Sequence, residues 1–116
     1  MTASPSWTAA TDWLTIPEVA EALGETPGRV RRLLDEHSLV AVRHEGALRV
    51  PAVFLVDDRP LSSLRGTVIV LRDAGFTDEE AVEWLLSRDE IIGDAPIDAL
   101  RAGRKHEVRR VAKALA

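Results

Sequence analysis

A chain of 116 residues with 46% apolar side chains has material for one compact domain, or a small domain with an appendage. It contains no cysteine, which excludes disulfides, thiol nucleophiles and zinc–thiolate sites and fits a reducing compartment. The formal net charge of −4 taken whole weighs against nucleic acid, yet residues 1–50 carry −2, residues 51–100 carry −7 and residues 101–116 carry +5, so local basic faces are open.

Residues 1–12 are small and polar with one proline and no sustained period of 3.6 or 2, and they read as a mobile arm. Trp13 and Leu14 begin the packed region. Thr15 then precedes Ile16 and Pro17 as a helix start, and Ile16, Val19, Ala20 and Leu23 recur at the spacing of a buried stripe. The spacing predicts a first helix over 17–23, ended by Gly24 in a left-handed conformation. Thr26 and Pro27 repeat the start signal, and a second helix is expected over 27–36. Val30, Leu33 and Leu34 mark its inner face. Stepping 100° per residue leaves Gly28, Arg29, Arg32, Asp35 and Glu36 pointing outward, with Arg31 on the flank. Leu39–Val42 and Ala47–Val50 read as two short strands joined through residues 43–46, where Gly46 supplies a positive φ; Pro51 ends the second strand.

Two short helices across a tight turn followed by a hairpin form the layout of a winged helix-turn-helix, which places its second helix in the DNA major groove and a basic hairpin beside it. Four of the seven acids of residues 1–50 fall early, at Asp12, Glu18, Glu21 and Glu25, whereas Arg29, Arg31, Arg32, Arg43 and Arg49 all fall in the second helix and the ribbon. Arg29, Arg31 and Arg32 are therefore candidates for base edges and phosphates, which guanidinium geometry suits. Thr26 and Gly28, at the helix start, are candidates for a phosphate contact. Arg43, His44 and Arg49 are candidates for holding register on the neighbouring backbone or minor groove. The duller alternative is a solvated face, with Arg32 paired to Asp35 or Glu36 and the wing charges paired to Glu45.

From Pro60 onward the pattern is helical. Leu61, Leu64, Val68, Leu71 and Ile69 form a stripe stopping at Gly75. Thr77-Asp78-Glu79-Glu80 is a capping box opening a helix with Ala81, Val82, Trp84, Leu85 and Leu86, and the two helices are expected to pack as a hairpin. Residues 88–95 read as a loop. Pro96 restarts a short helix carrying Ile97 and Leu100, Gly103 breaks it, and 104–116 makes a last helix with Val108, Val111, Ala112 and Leu115 inside. That helix is the most basic segment; it either reaches phosphates flanking the main site or faces the acidic residues 78–94.

The stretch TIPEVAEALGETPGRVRRLLDEHSLVAVRHEGALRVP resembles the winged helices of the MerR and excisionase type, whose short "EVAE.LG" helix precedes the reading helix and a small wing. Joined to VFLVDDRPLSSLRGTVIVLRDAGFTDEEAVEWLL and PIDALRAGRKHEVRRVAKALA, it is similar over residues 13–116 to a small actinobacterial family of DNA-binding proteins. One mycobacterial member of that family is a substrate of a membrane-linked serine/threonine protein kinase. The resemblance implies a DNA-binding protein regulated by a kinase acting on a hydroxyl of the N-terminal arm, where Thr2, Ser4, Ser6, Thr8 and Thr11 are all candidates. More remotely, P..AL..G...EV.R.A.AL resembles the toxin-binding domains of bacterial antitoxins. It implies an alternative in which the helical half is a protein-interaction module, binding a protein partner or a second copy.

Other chemistries lack their residues. His37, His44 and His106 do not share the spacing of zinc pairs, and the acids of 73–83 fall largely in a first helical turn, where negative charge meets the helix dipole. There is no nucleophile elbow or phosphate-cradling glycine loop, so neither an enzyme nor a cofactor is expected. With 4% aromatics, a stacking platform for single strands is unsupported. No apolar run approaches the roughly 20 residues of a membrane span and no leader opens the chain, which reads as cytoplasmic. The expected architecture is α+β and mainly helical: an arm over 1–12, a winged helix-turn-helix over 13–56 and a C-terminal helical subdomain over 60–116.

Overall fold

The computed structural model describes residues 11–116, so all of the expected arm except Thr11 and Asp12 lies outside the described residues. The architecture is α+β and mainly helical, a winged helix-turn-helix followed by four further helices. Helix α1 (Ile16–Leu23) is opened by a reciprocal capping box: the Thr15 hydroxyl accepts the Glu18 N–H at 3.3 Å and the Glu18 carboxylate accepts the Thr15 N–H at 2.9 Å. It ends at Gly24, whose φ of 67° lets the Glu25 N–H reach back to the Ala20 carbonyl at 2.9 Å. Helix α2 (Pro27–Asp35) is capped by Thr26 on the Arg29 N–H at 3.2 Å. It ends one residue short of the expected Glu36, by the same geometry as α1: the Ser38 N–H reaches the Leu33 carbonyl at 2.9 Å, but the left-handed residue is His37, with φ 63°.

The wing is a three-stranded antiparallel sheet in the order β1–β3–β2, from β1 (Trp13–Thr15), β2 (Val42–His44) and β3 (Ala47–Pro51). One expectation is corrected here, and one strand is added to those expected. The first wing strand is displaced from 39–42 to 42–44, because the connection is a two-residue turn, Glu45–Gly46, with φ values of 53° and 83°. That turn type matches the twist of the flanking strands and fixes the register. Leu39 and Val40 instead run ahead of the sheet and bury themselves in the core. The third strand, β1, is too short for a period-two signal to declare it.

A short 3-10 turn (Ala52–Phe54) follows, then a tight hairpin of β4 (Leu55–Val56) and β5 (Arg59–Pro60), where the sequence had shown no element. Helices α3 (Leu64–Asp73), α4 (Asp78–Leu86), α5 (Pro96–Arg101) and α6 (Lys105–Lys113) complete the chain, with the Thr77–Glu80 capping box formed at α4. Helices α3 and α4 are neighbours across the Gly75 turn, but α3 packs chiefly against α6. Val108, Val111 and Ala112 are buried in that contact, whereas Leu115, expected inside, lies beyond the end of α6 and is 44% exposed.

One cluster of buried apolar side chains extends from Ile16, Val19 and Val30 through Val50 and Phe54 to Leu71, Leu85 and Val108, so both halves share a core. Each fully buried Leu or Phe in it contributes about 1.5–3 kcal/mol of transfer free energy. Polar links reinforce the junction. The Arg101 guanidinium donates to the Val53 and Leu55 carbonyls at 2.9 and 2.7 Å. Arg109 donates to the Thr67 hydroxyl and the Ser63 carbonyl, tying α6 to the start of α3. No helix among the described residues is long and apolar enough to cross a membrane.

Candidate nucleic-acid interface

The outward face of α2 is uncovered. Thr26, Gly28, Arg29, Arg31 and Arg32 are all exposed, while Val30 and Leu33 on the opposite side are buried. No ion pair or side-chain hydrogen bond engages Arg29, Arg31 or Arg32 among the described residues; the pairing of Arg32 with Asp35 or Glu36 is not made. Three guanidinium groups thus stand on one short rod with their donors available. The start of the rod is shaped for close approach: Gly28 presents no side chain, and a Cβ built there meets only the Thr26 hydroxyl at 3.8 Å. Nothing internal to the fold therefore demands glycine at this position.

The wing residues divide between two faces. Antiparallel register places Trp13, Thr15, Val42, His44, Ala47 and Arg49 on one side of the sheet, and Arg43 with Leu48 and Val50 on the other. Arg43 is exposed and close to the turn. The His44 ring stacks on Trp13, with centroids 4.1 Å apart and planes 14° from parallel, which holds the imidazole against the sheet. Arg49 is half-buried at the centre of the sheet, its Nε buried without a hydrogen-bond partner among the described residues, and its charge reaches Glu18. Hydrogen bonds from the Thr15 backbone N–H and hydroxyl, together with Arg49, hold the Glu18 carboxyl below the usual carboxylate range. Arg43 therefore shares the open surface with the α2 arginines in character, whereas His44 and Arg49 are partly engaged in building the wing.

Trp13, which stacks on His44, is a site-forming residue that the sequence does not single out; its only signal is an aromatic two residues ahead of a helix cap. The basic C-terminal segment is also partly consumed. Arg104 pairs with Asp94 at 3.0 Å and with Glu107 at 3.0 Å, and Arg101 and Arg109 bind backbone carbonyls, leaving Lys105, Arg110 and Lys113 on the surface. The last turn of α2 brings exposed acids, Asp35 and Glu36, so positive potential is concentrated toward the N-terminal two turns.

Comparison with known proteins agrees with the fold. Residues 6–55 match the family described as DNA-binding protein Rv2175c, wHTH domain, and residues 61–116 match the family described as Rv2175c C-terminal domain of unknown function. The chain is 37% identical over 114 residues to the DNA-binding protein Rv2175c of Mycobacterium tuberculosis (strain ATCC 25618 / H37Rv), covering 87% of this chain and 78% of that relative. The NMR structure of Rv2175c superposes with a TM-score of 0.83 at 32% identity, covering 96% of this chain and 90% of that one. Matched in both halves and in their order, this chain belongs to the Rv2175c family, with a winged helix-turn-helix domain joined to the family's C-terminal domain.

Proposed function

We propose that the protein binds double-stranded DNA and acts as a transcriptional regulator, with α2 in the major groove and the hairpin beside it. The observation that carries this reading is the row of exposed arginines on α2, unengaged by any carboxylate of the described residues, on a helix whose other face is anchored in the core. The name of the relative, a DNA-binding protein, supports it. Arg29, Arg31 and Arg32 contact bases and phosphates, the amides at Thr26–Gly28 take a phosphate at the helix start, and Arg43, His44 and Arg49 hold register. Titration of labelled duplex at several salt concentrations tests it. Arg32→Ala and Arg43→Ala should each weaken binding and reduce the slope of log K against log salt by about 0.9; unaltered titrations reject the assignments.

Regulation acts through phosphorylation of the N-terminal arm, which adds about −1.5 to −2 charge close to the duplex. Thr2, Ser4, Ser6 and Thr8 lie outside the described residues. The Thr11 hydroxyl accepts the Val53 N–H at 3.1 Å and donates to the Asp12 carbonyl at 2.8 Å, so modification there would also cost a fold contact. Kinase-treated and untreated protein should differ in affinity for the same duplex; equal affinities reject the switch. The interaction-module alternative needs a free apolar face on α6, and Val108, Val111 and Ala112 are already buried within the chain.

A further inference from the structure

Between the end of α2, the β4–β5 hairpin and the start of α3 lies a groove of about 360 Å³ whose lining includes Ser38, Arg59, Ser62 and Arg65. Leu33, Pro60 and Leu61 complete the lining, whose charged groups are of one sign, while Asp57 lines the adjoining groove that shares Arg59 and Ser62. Arg59 is exposed and in no ion pair or side-chain hydrogen bond among the described residues. Arg65 donates its Nε to the Glu36 carbonyl at 3.0 Å and has no carboxylate partner among the described residues. Helix α3 begins at this groove with no side-chain cap on its first amides, so its positive dipole end adds to the two guanidinium charges. The acids nearest in sequence, Glu36, Asp57 and Asp58, form no ion pair with either arginine. Guanidinium groups are donors only. Two of them beside two hydroxyls make a place for an anion with several acceptor oxygens.

We propose that this groove binds a phosphate group, as a second site distinct from the arginine face of α2. The contact of Arg65 with the Glu36 carbonyl gives the site a mechanical link, because the group that meets the phosphate also holds the C-terminal end of α2. The phosphate comes either from the backbone of a bound duplex or from a free phosphorylated small molecule.

Two measurements on the full chain test this. In the first, melting is followed in increasing sodium phosphate against sodium chloride of equal ionic strength. In the second, labelled duplex is titrated at several salt concentrations. Arg59→Ala and the milder Ser62→Ala are compared with wild type, after each is shown to melt like wild type in chloride. Saturable stabilisation by phosphate that weakens at least tenfold in Arg59→Ala, with the DNA salt slope unchanged, supports the site and assigns it to a free ligand. A fall in the DNA salt slope by about one in Arg59→Ala supports the site and assigns it to the duplex backbone. Equal phosphate response in all three proteins together with unchanged DNA slopes overturns it. The phosphate arm contains no DNA, so failure of the α2 reading, seen with Arg32→Ala, is distinguishable from failure of this site.

Discussion

At the scale of single residues, two positions separate what folding requires from what binding requires. Gly28 sits on a solvent-facing turn of α2 with open space around it. Alanine there should raise stability by about 0.5–1 kcal/mol, since glycine costs that much inside a helix. If a duplex approaches the same spot, Gly28→Ala should weaken DNA binding while raising the melting temperature, a divergence that anisotropy titration and thermal melting on one sample reveal together. His37 is the reverse case. It occupies the left-handed position that Gly24 fills in α1, at φ 63°, and the side chain adds strain there of about 1–2 kcal/mol. His37→Gly should stabilise the fold by about 1 kcal/mol in chemical denaturation; destabilisation would show that the imidazole is held by its surroundings instead.

At the scale of elements, the helix boundaries legible in the sequence are those signed by a local device, whereas α3 and α6 begin without a side-chain cap. Thr15-x-x-Glu18, Thr26-Pro27, Thr77-x-x-Glu80 and Pro96 all open helices where they stand, and Gly24 and Gly103 close them. Strands were less legible. A three-residue strand such as β1 has no period to detect and exists through its pairing with β3, so only the folded chain declares it. The turn Asp57–Asp58 shows the same limit: both residues adopt positive φ, at 51° and 59°, without the glycine that normally advertises such a turn. Of the candidate site, α2 was readable from helical periodicity, whereas the engagement of His44 by Trp13 and the half-burial of Arg49 depend on sheet register that the displaced β2 alters.

The capping devices carry a pH dependence. Glu18 and Glu80 accept hydrogen bonds from the Thr15 and Thr77 backbone N–H groups and hydroxyls, and Glu107 from Arg104, and all three carboxyls are held below the usual range. Protonating them costs the folded chain more than the unfolded one. Their stabilisation is therefore complete above about pH 4.3, the ordinary glutamate value, and is lost as pH falls through the lowered folded-state values. Melting temperature should drop below that pH, and drop less steeply in Glu18→Gln and Glu80→Gln; identical acid profiles would contradict the assignment. Thr26→Ala, which removes the α2 cap, should cost about 0.5–2 kcal/mol at neutral pH.

For the molecule as a whole, the shared core makes the C-terminal half a structural support of the reading helix. Leu71 and Leu85 are fully buried in the same cluster as Val30 and Val50, and Arg65 of α3 holds the last carbonyl region of α2. Leu71→Ala should cost about 2–5 kcal/mol, the range for emptying a buried leucine site. It should lower one cooperative transition seen alike by tryptophan fluorescence and far-UV dichroism; two separated transitions would show that the halves fold independently. Net charge told little about function at this scale, because the acids of the helical half outweigh, without touching, the arginines of α2.

The most direct test of the central claim is residue-resolved NMR mapping of the full chain as a short duplex is added. The account predicts that the largest amide shifts fall on Thr26–Arg32 and on the hairpin at 43–49, with the inner face of α6 unmoved. Shifts confined to α4, α5 and α6, with α2 silent at saturation, would contradict it.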